Sequence, residues 1–236
     1  MIERIDSAVF GPVPAFVRIS VRLTGIDPAR AAATAGAARA YLARAAAGAA
    51  RTPDDDMQSA AWRAAYADVG LGDDVLSPVA ALRAWAAAPG GVPSQGALLD
   101  LVNGVSLLYG APTAAYDLAG VAGDLWLRPS RGVESFEAPA AHTGRPSIVE
   151  INELILADSA DRVVARAWHG SPGRQTIVGP GSRDVLVHVD RLAPHEAPEV
   201  PEAAGEAIGR LIAGFVGARF EVRVLTRGQP SARWPA

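Results

Sequence analysis

The segment 184–191, DVLVHVDR, carries the pair of side chains best suited to acid–base chemistry. His188 and Asp190 are two residues apart in an alternating run, so a β-strand would project both from the face opposite its valines. A carboxylate beside an imidazole favours the charged ring and can orient it as a general base. The same pattern fits an ordinary strand edge in solvent, because adjacent side chains on one strand face are not always within hydrogen-bonding distance. His188 is therefore a candidate catalytic residue, with a structural role as the alternative.

A second candidate group lies where a strand enters a loop, in the sequence WHGSPGRQT at 168–176. Arg166 and Trp168 would share one strand face, where they could stack against a ring or hold a carboxylate or phosphate. His169 follows in a loop rich in turn-forming residues, and such loops often contact ligands. His169 is therefore the second catalytic candidate. The alternative is an aromatic ring that covers the edge of the core, with Arg166 in solvent.

Polar residues also interrupt an apolar helix predicted between Leu98 and Tyr109. Asp100 and Asn103 are three residues apart and would lie on one helix face. Burying a carboxylate and an amide costs free energy unless both are hydrogen-bonded. They either clamp the turn at Gly110, where a left-handed cap is expected, or form the floor of a pocket.

These residues must be positioned by helices in the first half of the chain and by strands in the second. Residues 16–24 alternate, which predicts a half-buried strand with Arg18 and Ser20 on a polar outer face. Asp27-Pro28 and Ser77-Pro78 are typical of helix starts. We expect an α+β fold, a mixed β-sheet core flanked by helices, with residues 1–226 as one domain and 227–236 as a loose tail. The elements predicted are helices at 28–50, 57–69, 78–88 and 202–217, and strands at 123–128, 152–157, 162–168, 175–178, 184–190 and 219–225.

The composition excludes several kinds of site. The chain has no cysteine, and all 22 of its basic residues are arginine. Disulfides, thiolate catalysis, cysteine-based metal sites, lysine Schiff bases and Walker-type phosphate loops are therefore excluded. A metal site formed by His188, Asp190 and His195 is conceivable, but we expect neither a metal nor another cofactor.

The charge pattern limits the partners. A net charge of −3 does not suggest a protein that grips nucleic acid through bulk charge, so a contact with RNA would need a local arginine patch. No DNA partner is expected. No uncharged apolar run approaches the ~20 residues that span a bilayer, and no export signal is visible, so we expect a cytoplasmic protein without a membrane partner. The oligomeric state cannot be predicted.

The stretch from Asp100 to Arg128, DLVNGVSLLYGAPTAAYDLAGVAGDLWLR, resembles a known pattern. It is similar to the D-x-x-N…SL…P-x-x-x-(Y/F)-D-L…G-x-(I/L)-x-(L/V)-R sequence of the editing domain, of B3/B4 type, in the beta subunit of bacterial phenylalanyl-tRNA synthetase. Free-standing proteins built from that domain resemble it more closely. The helical segment from Trp62 to Trp85 and the hairpin from Glu153 to Trp168 lie in the same order as in those proteins.

The resemblance implies hydrolysis of tRNA charged with the wrong amino acid, here acting in trans. The pocket histidine of the synthetase pattern falls at Ala114, and its later glutamate falls at His188, so the specificity would differ. His188 or His169 would assist a bound water. The expected substrate-binding residues are Asn103, Thr113, Tyr116, Asp117, Arg166, Trp168 and Thr176.

Two interpretations follow. The first is an aminoacyl-tRNA deacylase, with the ester between the Tyr116 turn and the His188 strand. The second is a non-catalytic module that binds an amino acid, a nucleotide or an RNA end in the same pocket. A clustered face of Arg166, Arg174 and Arg183 would favour tRNA as the partner.

Overall fold

A computed structural model describes residues 1–50, 57–72, 75–139, 148–193 and 199–235. Strands and helices alternate irregularly along the chain, and most of the helices lie in its first half. The elements are β1 (Ile2–Ile5), α1 (Ser7–Phe10), β2 (Phe16–Thr24), α2 (Pro28–Ala49), α3 (Met57–Asp68), α4 (Pro78–Ala87), α5 (Ala97–Tyr109), β3 (Thr113–Asp117), β4 (Leu125–Pro129), β5 (Leu154–Asp158), β6 (Val163–Ala165), β7 (Asp184–Leu192), α6 (Glu199–Val216), β8 (Arg219–Leu225) and β9 (Ser231–Arg233).

The strands form two sheets. The mixed sheet has the order β6-β5-β4-β1-β9, in which only the β1–β4 pair is parallel. The antiparallel sheet has the order β3-β7-β2-β8. Helices flank these sheets, which confirms the predicted α+β fold with a mixed sheet. Within the described residues, no helix combines the length and the apolar character needed to cross a bilayer.

The antiparallel sheet is covered on both faces. The face that carries the valines of β7 packs against α2, α5 and α6. The opposite face packs against the mixed sheet, where Phe16, Tyr116 and Leu186 meet Leu125 and Leu127. The two sheets therefore enclose a layer of side chains between them.

This second layer corrects the prediction for β2. Arg18 and Ser20 were expected on a polar outer face in solvent, but both are buried between the sheets. The alternation along β2 was identified correctly, since Ile19 and Val21 do face the helices. Alternation distinguishes the two faces of a strand, but it does not tell whether the polar face meets water or another layer.

The helix starts were predicted from local signals and are confirmed. Asp27 accepts a hydrogen bond from the backbone N–H of Ala29 at the start of α2. Ser77 caps α4 in the same way, and proline occupies the first turn of both helices. Gly110 ends α5 in the left-handed conformation, with φ of 60°. Local sequence therefore determines these boundaries.

The loose tail predicted at 227–236 is wrong for the residues that the structure describes there. Residues 231–233 form β9, which pairs antiparallel with β1. Trp234 is buried, and its indole N–H donates to the Glu3 carboxylate at 3.2 Å. β9 covers the edge of β1 that does not pair with β4.

Two predicted strands also differ. The second hairpin strand, predicted at 162–168, ends at Ala165 as β6, because Ala167 and Trp168 adopt positive φ angles of 46° and 64°. The strand predicted at 175–178 is absent; Arg174–Thr176 form a single 3₁₀ turn instead.

Candidate functional site

A buried polar layer lies between the two sheets. β1 contributes Glu3, β2 contributes Arg18, and β7 contributes His188 and Asp190; His169 enters from the loop after β6. All five side chains are buried. Charged groups in such a place must be paired and hydrogen-bonded, or the cost of removing them from water is not offset.

Asp190 is the centre of one half of this layer. Its two carboxylate oxygens accept from Arg18, with Nε at 2.8 Å and Nη2 at 2.6 Å. His169 Nε2 lies 2.7 Å from Asp190 Oδ2. Burial alone would raise the pKa of Asp190, but Arg18 and His169 outweigh it and hold the pKa well below its usual range. Asp190 is therefore ionised, and His169 Nε2 carries the proton.

His169 is hydrogen-bonded through both ring nitrogens. The Tyr66 hydroxyl of α3 lies 2.8 Å from Nδ1. Burial lowers the pKa of His169, and the neighbouring Asp190 does not restore it, so the ring is neutral. Tyr66 then donates to Nδ1. With both nitrogens occupied, His169 connects α3 to Asp190 and is not a free base.

A strained turn inserts His169 into this layer. Ala167 and Trp168 have consecutive positive φ angles, each costing about 1–3 kcal/mol for a residue other than glycine. The Glu153 carboxylate stabilises the turn by accepting from the Ala167 N–H at 3.0 Å and from Arg166 Nε at 2.8 Å. Trp168 packs inside, stacked on the His169 ring with centroids 5.0 Å apart. The predicted ligand contacts of Arg166 and Trp168 are therefore internal contacts in this structure.

The other half of the layer contains His188 and Glu3. His188 Nε2 lies 3.0 Å from Glu3 Oε1, within ion-pair distance, but the contact does not have the geometry of a hydrogen bond. Ser20 Oγ donates to the same carboxylate at 2.9 Å. Burial would raise the pKa of Glu3, but His188, Arg18 and Ser20 lower it, so the carboxylate is ionised. The expected partner of His188 was Asp190; the structure corrects it to Glu3.

This arrangement leaves one imidazole nitrogen available. The ionised Glu3 favours the tautomer in which His188 Nε2 carries the proton. His188 Nδ1 then presents a lone pair, and it has no hydrogen-bond partner among the described residues. An imidazole with a carboxylate beside one nitrogen and no partner at the other is an arrangement suited to a general base.

Strand β3 lies directly beside this base. Ala114 is the cross-strand partner of His188 in the β3–β7 pair. The Tyr116 ring meets the His188 ring edge-on, with centroids 5.4 Å apart. Ala114 is half-buried, and β3 forms the edge of its sheet. The two positions at which the sequence resemblance placed the pocket histidine and glutamate are therefore neighbours.

Several predicted binding residues lie elsewhere. Thr113 faces α5, where its hydroxyl lies 3.3 Å from the Val102 carbonyl oxygen. Asn103 is on α5 itself, behind the valine face, and is half-buried. The antiparallel sheet separates α5 from His188. The structure does not bring Asn103 and Thr113 together with the catalytic candidates.

The remaining candidates stabilise loops. Asp117 accepts from the Ala119 N–H at 3.0 Å and from Ser182 Oγ at 2.6 Å. Thr176 is buried and donates to the carbonyl oxygen of Gly173 at 3.1 Å. These contacts account for both residues without a ligand.

Asp100 also has a structural role. It accepts from Ser94 Oγ at 2.6 Å and from the Gln95 N–H at 2.8 Å. The sequence predicted that Asp100 clamps the turn after α5, but in the structure it holds the loop before α5. Gly110 and its left-handed conformation end the helix independently.

The predicted arginine face is not formed as expected. Arg166 is buried and donates to both oxygens of Glu153, whereas Arg174 and Arg183 are exposed. Within the described part of the chain, no three acidic or histidine side chains are grouped so that they could hold a metal ion. His195, the third member of the conceivable metal site, lies outside the described residues.

Sequence reasoning missed Glu3 and Tyr66 and assigned Arg18 to the wrong environment. Glu3 lies in a four-residue strand at the N-terminus, and no pattern in IERI shows that it meets a strand 185 residues later. Tyr66 was included in the predicted helix without a role. Of these three residues, only Arg18 had a signal in the sequence: the alternation of β2 places it on the same strand face as Ser20.

Comparisons with known proteins give little further information. No protein-family model matches the sequence, and no curated protein matches it. Among solved structures, the chain is similar to an N-terminal fragment of the phenylalanyl-tRNA synthetase beta subunit from Pyrococcus horikoshii, with 9% identity and a TM-score of 0.46. The similarity covers 92% of this chain and 49% of that fragment, so the chain spans about half of its length. A similarity this distant supports no conclusion about activity.

Proposed function

We propose that the protein hydrolyses the ester bond of aminoacylated tRNA, with His188 as the general base. The observation that carries this proposal is the buried Glu3–His188 pair, in which one imidazole nitrogen faces a carboxylate and the other is free. The sequence resemblance to tRNA-editing domains supports the choice of substrate. The cross-strand pairing of Ala114 with His188 supports the location.

The chemistry requires one base and one water. His188 Nδ1 accepts a proton from the water as its oxygen attacks the ester carbonyl carbon. The tetrahedral intermediate then collapses, the bond between the carbonyl carbon and the ribose oxygen breaks, and Nδ1–H returns the proton to that oxygen. The products are a free amino acid and a tRNA with a free terminal hydroxyl. Glu3 stabilises the imidazolium that exists between the two proton transfers.

Access is limited in the structure. His188 is only 1% exposed, so the substrate complex requires side chains around it to move. The ester would approach past Ala114, since β3 is the edge strand and Ala114 is half-buried. Hydrogen bonds of catalytic groups often form fully only in the substrate complex, which fits a Glu3–His188 contact that is not a hydrogen bond in this structure.

The test is the hydrolysis of a panel of correctly and incorrectly charged tRNAs. His188→Gln should lower the rate about 10²–10⁴-fold, the usual contribution of a general base. Leu186→Met is the matched control, because Leu186 lies on the same buried face of β7 and has no proton to transfer, and methionine keeps its volume. Unchanged hydrolysis in His188→Gln would refute the proposed base, provided that the wild type is active.

The complete enclosure of His188 favours a second candidate, a non-catalytic module that binds an amino acid, a nucleotide or an RNA end. The same panel separates the two functions. If no charged tRNA is hydrolysed but one binds saturably, the module is supported and the deacylase is rejected.

A further inference from the structure

Strand β8 forms a long, regular edge of the antiparallel sheet. It runs from Arg219 to Leu225, pairs with β2 on one side and is the last strand in the order β3-β7-β2-β8. Its pairing with β2 is continuous, and the strand contains neither a proline nor a bulge. Sheet edges without such interruptions are ready to pair with another strand.

The register of the sheet shows which backbone groups of β8 point outward. The Asp190 N–H of β7 donates to the Pro112 carbonyl oxygen at 3.0 Å, on the side of β3. Backbone directions alternate along an antiparallel strand, so Arg18, the β2 partner of Asp190, directs its N–H and C=O groups away from β7 and towards Leu225 of β8. Every second residue of β8, counted back from Leu225, therefore bonds to β2. The residues between them point their N–H and C=O groups away from the sheet: Phe220, Val222 and Val224.

These outward groups have no backbone hydrogen-bond partner within the described part of the chain. The Val222 carbonyl oxygen accepts from its own neighbour, Arg223 Nη1, at 2.8 Å. The Arg223 side chain is 35% exposed, so it can turn away from this oxygen without leaving a buried charge. The edge therefore offers the N–H and C=O groups of all three residues to an added strand.

The side chains of β8 are self-complementary in charge. Glu221 and Arg223 flank Val222 and share one strand face, where Arg223 Nη2 lies 3.2 Å from Glu221 Oε2. In an antiparallel pair with a two-fold axis at Val222, Glu221 of each copy lies opposite Arg223 of the other. Opposite charges at directly opposed positions stabilise a pair of strands.

The backbone and the charges select the same register. With the axis at Val222, the outward groups of Val222 meet those of Val222 in the second copy, and those of Phe220 meet those of Val224. Shifting the axis by one residue places Glu221 opposite Glu221, or Arg223 opposite Arg223. Like charges directly opposite each other destabilise a strand pair. The occupant that fits this edge is therefore a second copy of the chain.

We infer that the protein forms a symmetric dimer through β8. The β8 strands of the two copies pair antiparallel across Val222 and join two four-stranded sheets into one sheet of eight strands. The two-fold axis pairs both edges at once, so this interface closes at two copies. The inference does not depend on the proposed hydrolysis, since β2 lies between β8 and the strand that carries His188.

Sedimentation velocity and light scattering test this inference by measuring the mass in solution at several protein concentrations. The wild type should have twice the mass of the chain. Glu221→Arg sets two arginines opposite each other at both ends of the strand pair, and Arg223→Glu sets two glutamates there, so each variant should have the mass of one chain. A mixture of the two variants restores opposite charges at both positions and should regain the twofold mass. This rescue also requires that both variants are folded.

A matched control separates the edge from a general effect of charge. Glu137→Arg makes the same charge change at an exposed position in the loop after β4, and it should keep the twofold mass. Arg223 also lies 5.2 Å from the Trp234 ring, so circular dichroism checks the fold of Arg223→Glu. If that variant does not fold, Glu221→Arg and its control still decide the question, because they leave Arg223 intact.

Several results would overturn the inference. A wild type with the mass of one chain would do so in favour of another strand-forming partner at this edge. A Glu221→Arg variant that keeps the twofold mass, or a Glu137→Arg variant that loses it, would also overturn it. So would two folded variants whose mixture stays at the mass of one chain. Hydrolysis of charged tRNA, measured separately, tests the proposed function on its own.

Discussion

Two ion pairs between β2 and β7 allow the energetic cost of burial to be measured directly. Arg18 binds Asp190, and Arg22 binds Asp184, each through Nε and Nη2 to both carboxylate oxygens. The geometry is nearly the same, but the surroundings differ. The side chains of Arg18 and Asp190 are 2% and 0% exposed, and those of Arg22 and Asp184 are 14% and 34% exposed.

We predict that Arg18→Met lowers the free energy of unfolding by about 3–5 kcal/mol, because it leaves the buried Asp190 without its cation. Arg22→Met, the same substitution on the same strand face, should cost about 0–1 kcal/mol, because water screens Asp184. A difference of about 3 kcal/mol corresponds to more than a hundredfold change in the folding equilibrium.

Urea denaturation, followed by circular dichroism, measures both variants. Arg18→Met could unfold a chain of ordinary stability, so the double variant Arg18→Met/Asp190→Met completes the experiment. Replacing both partners with apolar side chains should recover part of the loss, because Asp190 no longer stands without its cation. The recovery should be incomplete, because the His169 Nε2–H then lacks its acceptor and Glu3 lacks the nearby guanidinium. Equal losses in Arg18→Met and Arg22→Met, or a double variant no more stable than Arg18→Met, would refute the argument that burial sets the cost.

Three further predictions concern stability. Below its ordinary pKa of 6.5, His169 binds a proton in the unfolded state but stays neutral in the folded state, so the free energy of unfolding should fall as the pH drops from 7 to about 5. His169→Gln should flatten this part of the stability curve, measured by urea denaturation. An unchanged slope would contradict a lowered pKa of His169. Trp234→Ala should lower the urea midpoint by the equivalent of about 3–5 kcal/mol, as for a buried aromatic ring, whereas a loose tail would show no effect. On α6, Gly209→Ala should destabilise the protein by about 1–3 kcal/mol, because the new methyl would lie 2.3 Å from the Phe220 ring of β8. A methyl at Gly214 meets no atom within 4 Å, so Gly214→Ala should stabilise the protein by about 0.5–1 kcal/mol. Equal shifts of the two variants in thermal unfolding would argue against the packing of α6 on β8.

Much of the helical architecture could be predicted from the sequence because helix ends depend on neighbours in the chain. Asp27-Pro28 and Ser77-Pro78 carry both the capping side chain and the proline of the first turn, and Gly110 supplies the left-handed end of α5. Each signal acts over a few residues. The same locality explains why the hairpin of β5 and β6 was found.

The candidate site could be predicted only in part. His188 and His169 were selected by residue type, and both lie in the polar layer. The carboxylate partner of His188 was assigned incorrectly, because a strand alternation does not identify the neighbouring strand, and no partner was assigned to His169. Asn103 and Thr113 were grouped with them by proximity in the resemblance, but the antiparallel sheet lies between α5 and His188.

The sequence alone determined the absence of cysteine and lysine chemistry, the helix starts and the two faces of β2 and β7. Only the tertiary structure decided that the polar face of β2 is buried and that Glu3, not Asp190, faces His188. The physical reason is the range of the interactions. Caps and alternation are set within a few residues, whereas a buried ion pair depends on strands that meet across 172 residues, as Arg18 and Asp190 do.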